Sequence, residues 1–140
     1  TNFDESSITQ CSISSSTGEL SGCNTVTIAA PGALNHPFGI AISNGYAYII
    51  NQFGNSITQC SVSSSTGELS GCTTVTPTSP GALNVPVGIA ISNGYAYVTN
   101  FNGTTMTQCS VSSSTGELSG CNTTPTSPGA LNNPTSIAIY

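Results

Sequence analysis

The chain has 140 residues, with no Lys or Arg, five Asp or Glu and one His, so its formal net charge is -5. Charged residues make up 4% of the sequence, where an ordinary domain carries roughly 25%. Without a cationic side chain there is no phosphate clamp, no Walker-type lysine, no Schiff base and no basic face for a nucleic-acid backbone, so nucleic acid and anionic membrane surfaces are excluded as partners.

Solubility must come from the net acidity and from the many Ser, Thr and Asn side chains, because no ion-pair network can be built from acids alone. The hydrophobic content of 36% is gathered into short β-branched and aromatic runs such as Ile40-Ala41-Ile42 and Tyr95-Ala96-Tyr97-Val98, which can pack a core. No apolar stretch approaches the roughly 18 to 20 residues of a membrane helix, so membrane insertion is not expected. Thr1 opens the chain without an initiator Met or a secretion signal, which reads as a processed or excised segment.

In chain order, Thr1-Asn2-Phe3 matches Thr99-Asn100-Phe101 and reads as the end of a strand. A phrase running from Gln10 to Cys23 follows and recurs from Gln59 and from Gln108, with Cys11, Cys60 and Cys109 spaced 49 apart and Cys23, Cys72 and Cys121 spaced likewise. Between these blocks Pro-Gly-Ala-Leu-Asn recurs at Pro31, Pro80 and Pro128, a further Pro at 37, 86 and 134, and Ile-Ala-Ile at 40, 89 and 137, with one residue lost in the third copy. Within one unit, residues 39–43 form a first strand, Asn44-Gly45 is a two-residue hairpin turn, and residues 46–51 form a second strand. A loop over 52–55 leads to a third strand over 56–63. The Ser64-Ser65-Thr66-Gly67 turn hands the chain to a fourth strand over about 68–76, and Thr76-Pro77-Thr78-Ser79-Pro80-Gly81 crosses to the next unit. The chain closes on residues 137–140, which match the first strand, so eleven strands are expected.

A period of this length with no helical spacing implies an all-β fold of β-propeller-type blades, each of four antiparallel strands. The repeats run over about 2–50, 51–99 and 100–140, the last incomplete, within a single repeat domain spanning 1–140. Three blades are fewer than the roughly four to eight that close a ring, so the ring stays incomplete unless copies associate or the array is longer.

Tyr97-Val98-Thr99-Asn100, preceded by the stretch from Pro86 to Gly94, resembles the YVTN-type repeats of extracellular β-propellers, whose relatives include NHL-like and lactonase-like propellers; Tyr48-Ile49-Ile50-Asn51 is a variant of the same tetrapeptide. The resemblance covers essentially the whole chain and implies a location, extracellular or at the cell surface, more than a chemistry.

Each Cys pair sits 12 apart across a hairpin centred on Thr17, Thr66 or Thr115, which predicts disulfides Cys11–Cys23, Cys60–Cys72 and Cys109–Cys121 in an oxidising compartment. Metal ligation is the competing reading, but two thiols per unit with no nearby His do not complete a zinc shell. Asn102-Gly103-Thr104 and Asn122-Thr123-Thr124 are N-glycosylation candidates. Residues 73–79 and 123–127 read as O-glycan acceptors.

Catalytic groupings are sparse. His36 has Val85 and Asn133 as its repeat equivalents, Glu5 has Gly54 and Gly103, and Asp4 is the only aspartate. Glu19, Glu68 and Glu117 repeat but lie on turns of separate blades, which suits solvated acids better than a paired acid and base. The expectation is therefore a protein that is not an enzyme, with no catalytic residue, metal or cofactor. Two functions are expected to compete: a structural repeat protein self-assembling into a surface layer, matrix fibre or filament, and a lectin-like module that binds glycans. The partner expected first is the chain itself. Tyr46, Tyr48, Tyr95 and Tyr97 could stack on sugars, but strand alternation favours a place in the core between blades.

Overall fold

The computed structural model describes residues 1–125 and 131–140. Its described residues contain no helix and ten strands: β1 (Ile8–Ile13), β2 (Leu20–Val26), β3 (Pro37–Ser43), β4 (Tyr46–Asn51), β5 (Ser56–Val62), β6 (Leu69–Val75), β7 (Pro86–Ser92), β8 (Tyr95–Asn100), β9 (Thr105–Val111) and β10 (Leu118–Pro125). They form the hairpin β1-β2 and two antiparallel meanders, β3-β4-β5-β6 and β7-β8-β9-β10, each ordered as in the sequence. These are four-stranded propeller-type blades in an all-β chain, and they do not close a ring. Sheet boundaries fall at the Pro-rich crossings, so a repeat counted from residue 2 carries the outer strands of one blade and the inner strands of the next.

The inner hairpins form where Asn-Gly demands them. Asn44 and Gly45 have φ of 50° and 77°, and Asn93 and Gly94 have 50° and 78°, the pair of positive values a type I′ turn needs. The turns set the register that pairs Ser43 with Tyr46 and Ser92 with Tyr95. On β4 the consecutive residues Tyr48, Ile49 and Ile50 are all fully buried. Successive strand residues face opposite ways, so this strand is covered on both sides. Tyr48 and Ile50 pack with Val98 and Leu118 in a core between the two complete blades, while Ala47 and Ile49 pack with Ile8 and Leu34 in a core shared with the β1-β2 hairpin.

Adjacent inner strands meet at glycine. A Cβ on Gly39 would strike the Val87 carbonyl, and one on Gly88 would lie 3.0 Å from the Ser136 Cα. Ser136 and Ile137 thus lie against β7 much as β7 lies against β3. The sequence expectation of an eleventh strand at 137–140 is nonetheless corrected, because this segment joins no ladder. A strand is defined by its partner, and among the described residues none lies beyond it. At the other end Thr1-Asn2-Phe3 is reduced to a single bridge between Asn2 and Ser7.

A buried asparagine fastens each blade. Asn51 is fully buried; its Nδ2 donates to Ser56 Oγ at 3.1 Å and Thr58 Oγ1 at 2.9 Å, and its Oδ1 accepts from the Asn35 amide at 3.1 Å. Thr58 Oγ1 in turn donates to the Gly32 carbonyl at 3.2 Å, tying in the crossing. Asn100 repeats the arrangement with Thr105, Thr107 and the Asn84 amide, and Asn2 repeats its donor half with Ser7 and Thr9. One side chain therefore joins two strands to the loop that opens the blade. Asn51→Ala leaves the Ser56 hydroxyl and the Asn35 amide without their partner and takes one bond from Thr58, and should cost about 2 to 4 kcal/mol in urea unfolding with the disulfides intact. A loss below about 0.5 kcal/mol, the size of an ordinary surface substitution, would show that the clasp does not hold the blade.

Candidate functional site

The outer hairpins β1-β2, β5-β6 and β9-β10 are cross-linked by Cys11–Cys23, Cys60–Cys72 and Cys109–Cys121. In each ladder the register slips at the cysteine, between Gln10 and Ser12, Gln59 and Ser61, and Ser119 and Asn122. Closing so short a loop stabilises by about 3 kcal/mol in the chain-entropy account. Three disulfides in a chain this small are typical of proteins from oxidising, extracellular compartments.

Each staple fixes the turn above it. Ser14 Oγ accepts from the Thr17 amide at 3.2 Å, while Thr17 Oγ1 donates to Glu19 Oε2 at 3.2 Å and accepts from the Glu19 amide at 3.3 Å. Ser63, Thr66 and Glu68 repeat this set, as do Ser112, Thr115 and Glu117. The three glutamates are exposed and stay on separate turns. In the last blade the turn is seated on its neighbour: Tyr46 OH donates to the Ser114 carbonyl at 3.1 Å, Gln59 Nε2 to Thr115 at 2.9 Å and Tyr48 OH to Gly116 at 2.9 Å. Gln10 Nε2 makes the matching bond to Thr66 at 3.4 Å. The first tyrosine pair therefore holds blades together, and burial, then the neighbouring Tyr46 phenol, pushes the Tyr48 phenol above its usual value.

The loops at the other end of the strands carry a different chemistry. Phe3, His36 and Phe53 form a ring cluster, with centroids 4.9 Å apart for Phe3 and His36, 4.4 Å for His36 and Phe53, and 5.4 Å for Phe3 and Phe53; Phe38 borders it 6.2 Å from Phe3. Phe53 is 59% exposed. Asp4 and Glu5 share the loop of Phe3, and Ser6 on that loop accepts from the His36 amide at 3.3 Å. Here the copies diverge: Phe3 becomes Gln52 and Phe101, Asp4 becomes Phe53 and Asn102, His36 becomes Val85 and Asn133. The residues from Ser14 to Cys23, by contrast, recur unchanged. His36 and Val85 both hold positive φ, 51° and 50°, a strained choice for a β-branched valine. It is kept because the Val85 amide donates to Asn55 Oδ1 at 2.8 Å and its carbonyl accepts from Phe101 at 3.0 Å. Sequence reading treated His36 as an isolated loop residue and missed this cluster. Laying the three copies over one another would have found it, since the variable positions fall on one set of loops.

The two sequons differ in setting. Asn102 is exposed on the loop between β8 and β9, whereas Asn122 lies on β10, where its Nδ2 donates to the Gly120 carbonyl at 2.9 Å and Thr124 Oγ1 donates to Met106 at 3.0 Å. The O-glycan stretch at 123–127 lies partly outside the described residues. Among the described residues no three His, Cys, Asp or Glu side chains come together.

Four-stranded meanders, inner strands meeting at glycine and Pro-rich crossings define a β-propeller-type repeat protein. The chain matches a solved structure from Lactobacillus plantarum (TM-score 0.68, 20% identity, 94% of this chain and 38% of that one). It also matches a candidate 6-phosphogluconolactonase from Bacteroides uniformis (TM-score 0.68, 21% identity, 91% of this chain and 38% of that one). Identity at this level establishes the fold, and the chain spans 38% of the length of each of these structures. No protein-family profile and no curated relative matches it.

The second match corrects the expectation that the chain is not an enzyme: this fold also carries a protein described as a lactonase, so neither fold nor repeat chemistry excludes catalysis. That expectation took Asp4, Glu5 and His36 as isolated residues without titratable repeat equivalents; they belong to the loops where the blades differ.

Ionising Tyr48 requires opening the seat of the Gly116 carbonyl. Its folded pKa lies above the unfolded value, so its contribution is complete below about pH 10 and is lost as pH rises through the folded value. Alkaline melts should show Tm falling above about pH 10, and falling less steeply in Tyr48→Phe; equal slopes for the two proteins would contradict the assignment.

Proposed function

We propose that the chain is a structural repeat module of the YVTN type, located outside the cell, which assembles with further units of its own kind into a surface layer, matrix fibre or filament. The observation that supports this is the constancy of the turn and its seat: the segment from Ser14 to Cys23 recurs without change, and it is the surface through which one blade engages the next. An assembly reuses one surface, so identical flanks are what it requires. Glycans at Asn102 would add hydration to a surface with almost no charge. Negative-stain electron microscopy of the native secreted protein should show ordered arrays or filaments; dispersed single particles at every concentration would remove this reading.

The aromatic cluster favours a second reading, a ligand-binding propeller. Phe53, Phe38 and His36 offer ring faces beside the amide of Asn35, the combination that holds sugars by stacking and hydrogen bonding. Saturable binding to an immobilised glycan, weakened roughly tenfold by Phe53→Ala, would support it. Binding that Phe53→Ala leaves unchanged would count against it.

A further inference from the structure

We infer that two copies of this chain dock head to tail, the 14–18 turn of one copy seating among Tyr95, Tyr97 and Gln108 of the next. The inference shares with the structural reading only the premise of a self-complementary flank.

The chain already contains the interface in its seated form. Tyr46, Gln59 and Tyr48 donate to three consecutive carbonyls, those of Ser114, Thr115 and Gly116. Tyr48 pairs with Gln59 in the β4-β5 ladder, and Tyr97 pairs with Gln108 in the same register of the β8-β9 ladder. The second set of donors therefore has the spacing of the first. Tyr95 is 41% exposed and borders a hollow with Gln108, Ser110, Gly120 and Asn122. Neither phenol hydroxyl nor the Gln108 amide has a hydrogen-bond partner among the described residues.

The matching plug stands on the opposite flank. The 14–18 turn has the sequence of 112–116 and the same internal bonds, so it is preformed and loses little freedom on docking. The carbonyls of Ser16, Thr17 and Gly18 accept no hydrogen bond among the described residues. Beside the turn, Ile13 is 70% and Leu20 64% exposed, while Leu118, the equivalent of Leu20 in the seated hairpin, is 7% exposed. The plug thus presents an apolar side chain, Leu20, whose counterpart the seated twin buries. The socket carries no charge, so the turn's Glu19 meets no like charge there. A second copy is the occupant this geometry specifies, because its turn reproduces the donor and acceptor pattern already satisfied between β4-β5 and the 112–116 turn. Plug and socket are different surfaces, so the contact is heterologous and builds either a closed ring or an open fibre.

Gly18 gives a clean test. At Gly116 a Cβ would come 2.5 Å from Tyr46 Cγ, whereas nothing in the chain lies within 4 Å of one at Gly18. Asn tolerates the left-handed conformation that Gly18 holds, so Gly18→Asn should fold yet block the seat. Gly45→Asn, at another open left-handed glycine, is the control. Circular dichroism and non-reducing mass spectrometry would verify the fold and three disulfides of each variant. In light scattering with sedimentation equilibrium, the parent should rise above monomer mass with concentration. Gly18→Asn should weaken association by at least about tenfold, Tyr97→Phe roughly fivefold and Gly45→Asn not at all. A parent that stays monomeric at millimolar concentration, or a Gly18→Asn chain that associates as tightly as the parent, overturns the inference. A small closed ring abolished by Gly18→Asn supports the docking while removing the filament reading; filaments that survive Gly18→Asn do the reverse.

Discussion

Strand β4 is apolar and buried on both faces, and that condition governs the rest of the molecule. A half-covered sheet can leave one face to water, but Tyr48 and Ile50 point one way and Ala47 and Ile49 the other, and none of the four is exposed. No single blade can satisfy such a strand. Its stability is shared with the blade on either side, as in repeat proteins whose units bury little alone. The same requirement passes along the chain to β8, where Ala96 and Val98 are fully buried and Tyr97 only partly.

A chain without cations cannot use ion pairs to fix these contacts, so hydroxyls and amides take that part. Thr58, Thr107, Asn51 and Asn100 are buried, and among the described residues no buried side-chain nitrogen or oxygen lacks a partner. Neutral donors and acceptors cost less to bury than charges when every one is satisfied. The outer hairpins, which contribute less to the shared cores, are held instead by cystine.

Much of the fold is legible in the residues because its signals are local. Asn44-Gly45 permits little but a tight turn, the recurring cysteines mark the outer hairpin, and β3 to β6 begin and end within two residues of the boundaries that turn chemistry implies. What is illegible depends on partners distant in sequence. Asn51 reads as the last letter of a strand motif, and nothing near it announces that it reaches the Asn35 amide. Tyr46 and Tyr48 read as core, yet their hydroxyls find carbonyls 68 residues away. Residues 137–140 carry a strand pattern and form no strand, since pattern supplies a face and not a neighbour.

The asparagine clasp also explains how one module can keep its flanks constant while its loops vary. Asn51 holds Ser56, where the β4-β5 loop ends, and Asn35, just before His36. Both stems of the loop face are thus anchored by a single side chain that the sheet itself buries. Between those anchors Gln52 and Phe53 can give way to Phe101 and Asn102, and His36 to Val85, without moving a strand. The 112–116 turn at the other end has no such latitude, because it must offer three carbonyls at fixed positions to the blade beside it. Variation accumulates where the scaffold tolerates it, and loops set on a rigid scaffold are where recognition and catalysis commonly evolve. The contrast between an invariant flank and a divergent face follows from where the buried polar bonds lie, and it places any chemistry particular to one blade on the side of Phe3, His36 and Phe53.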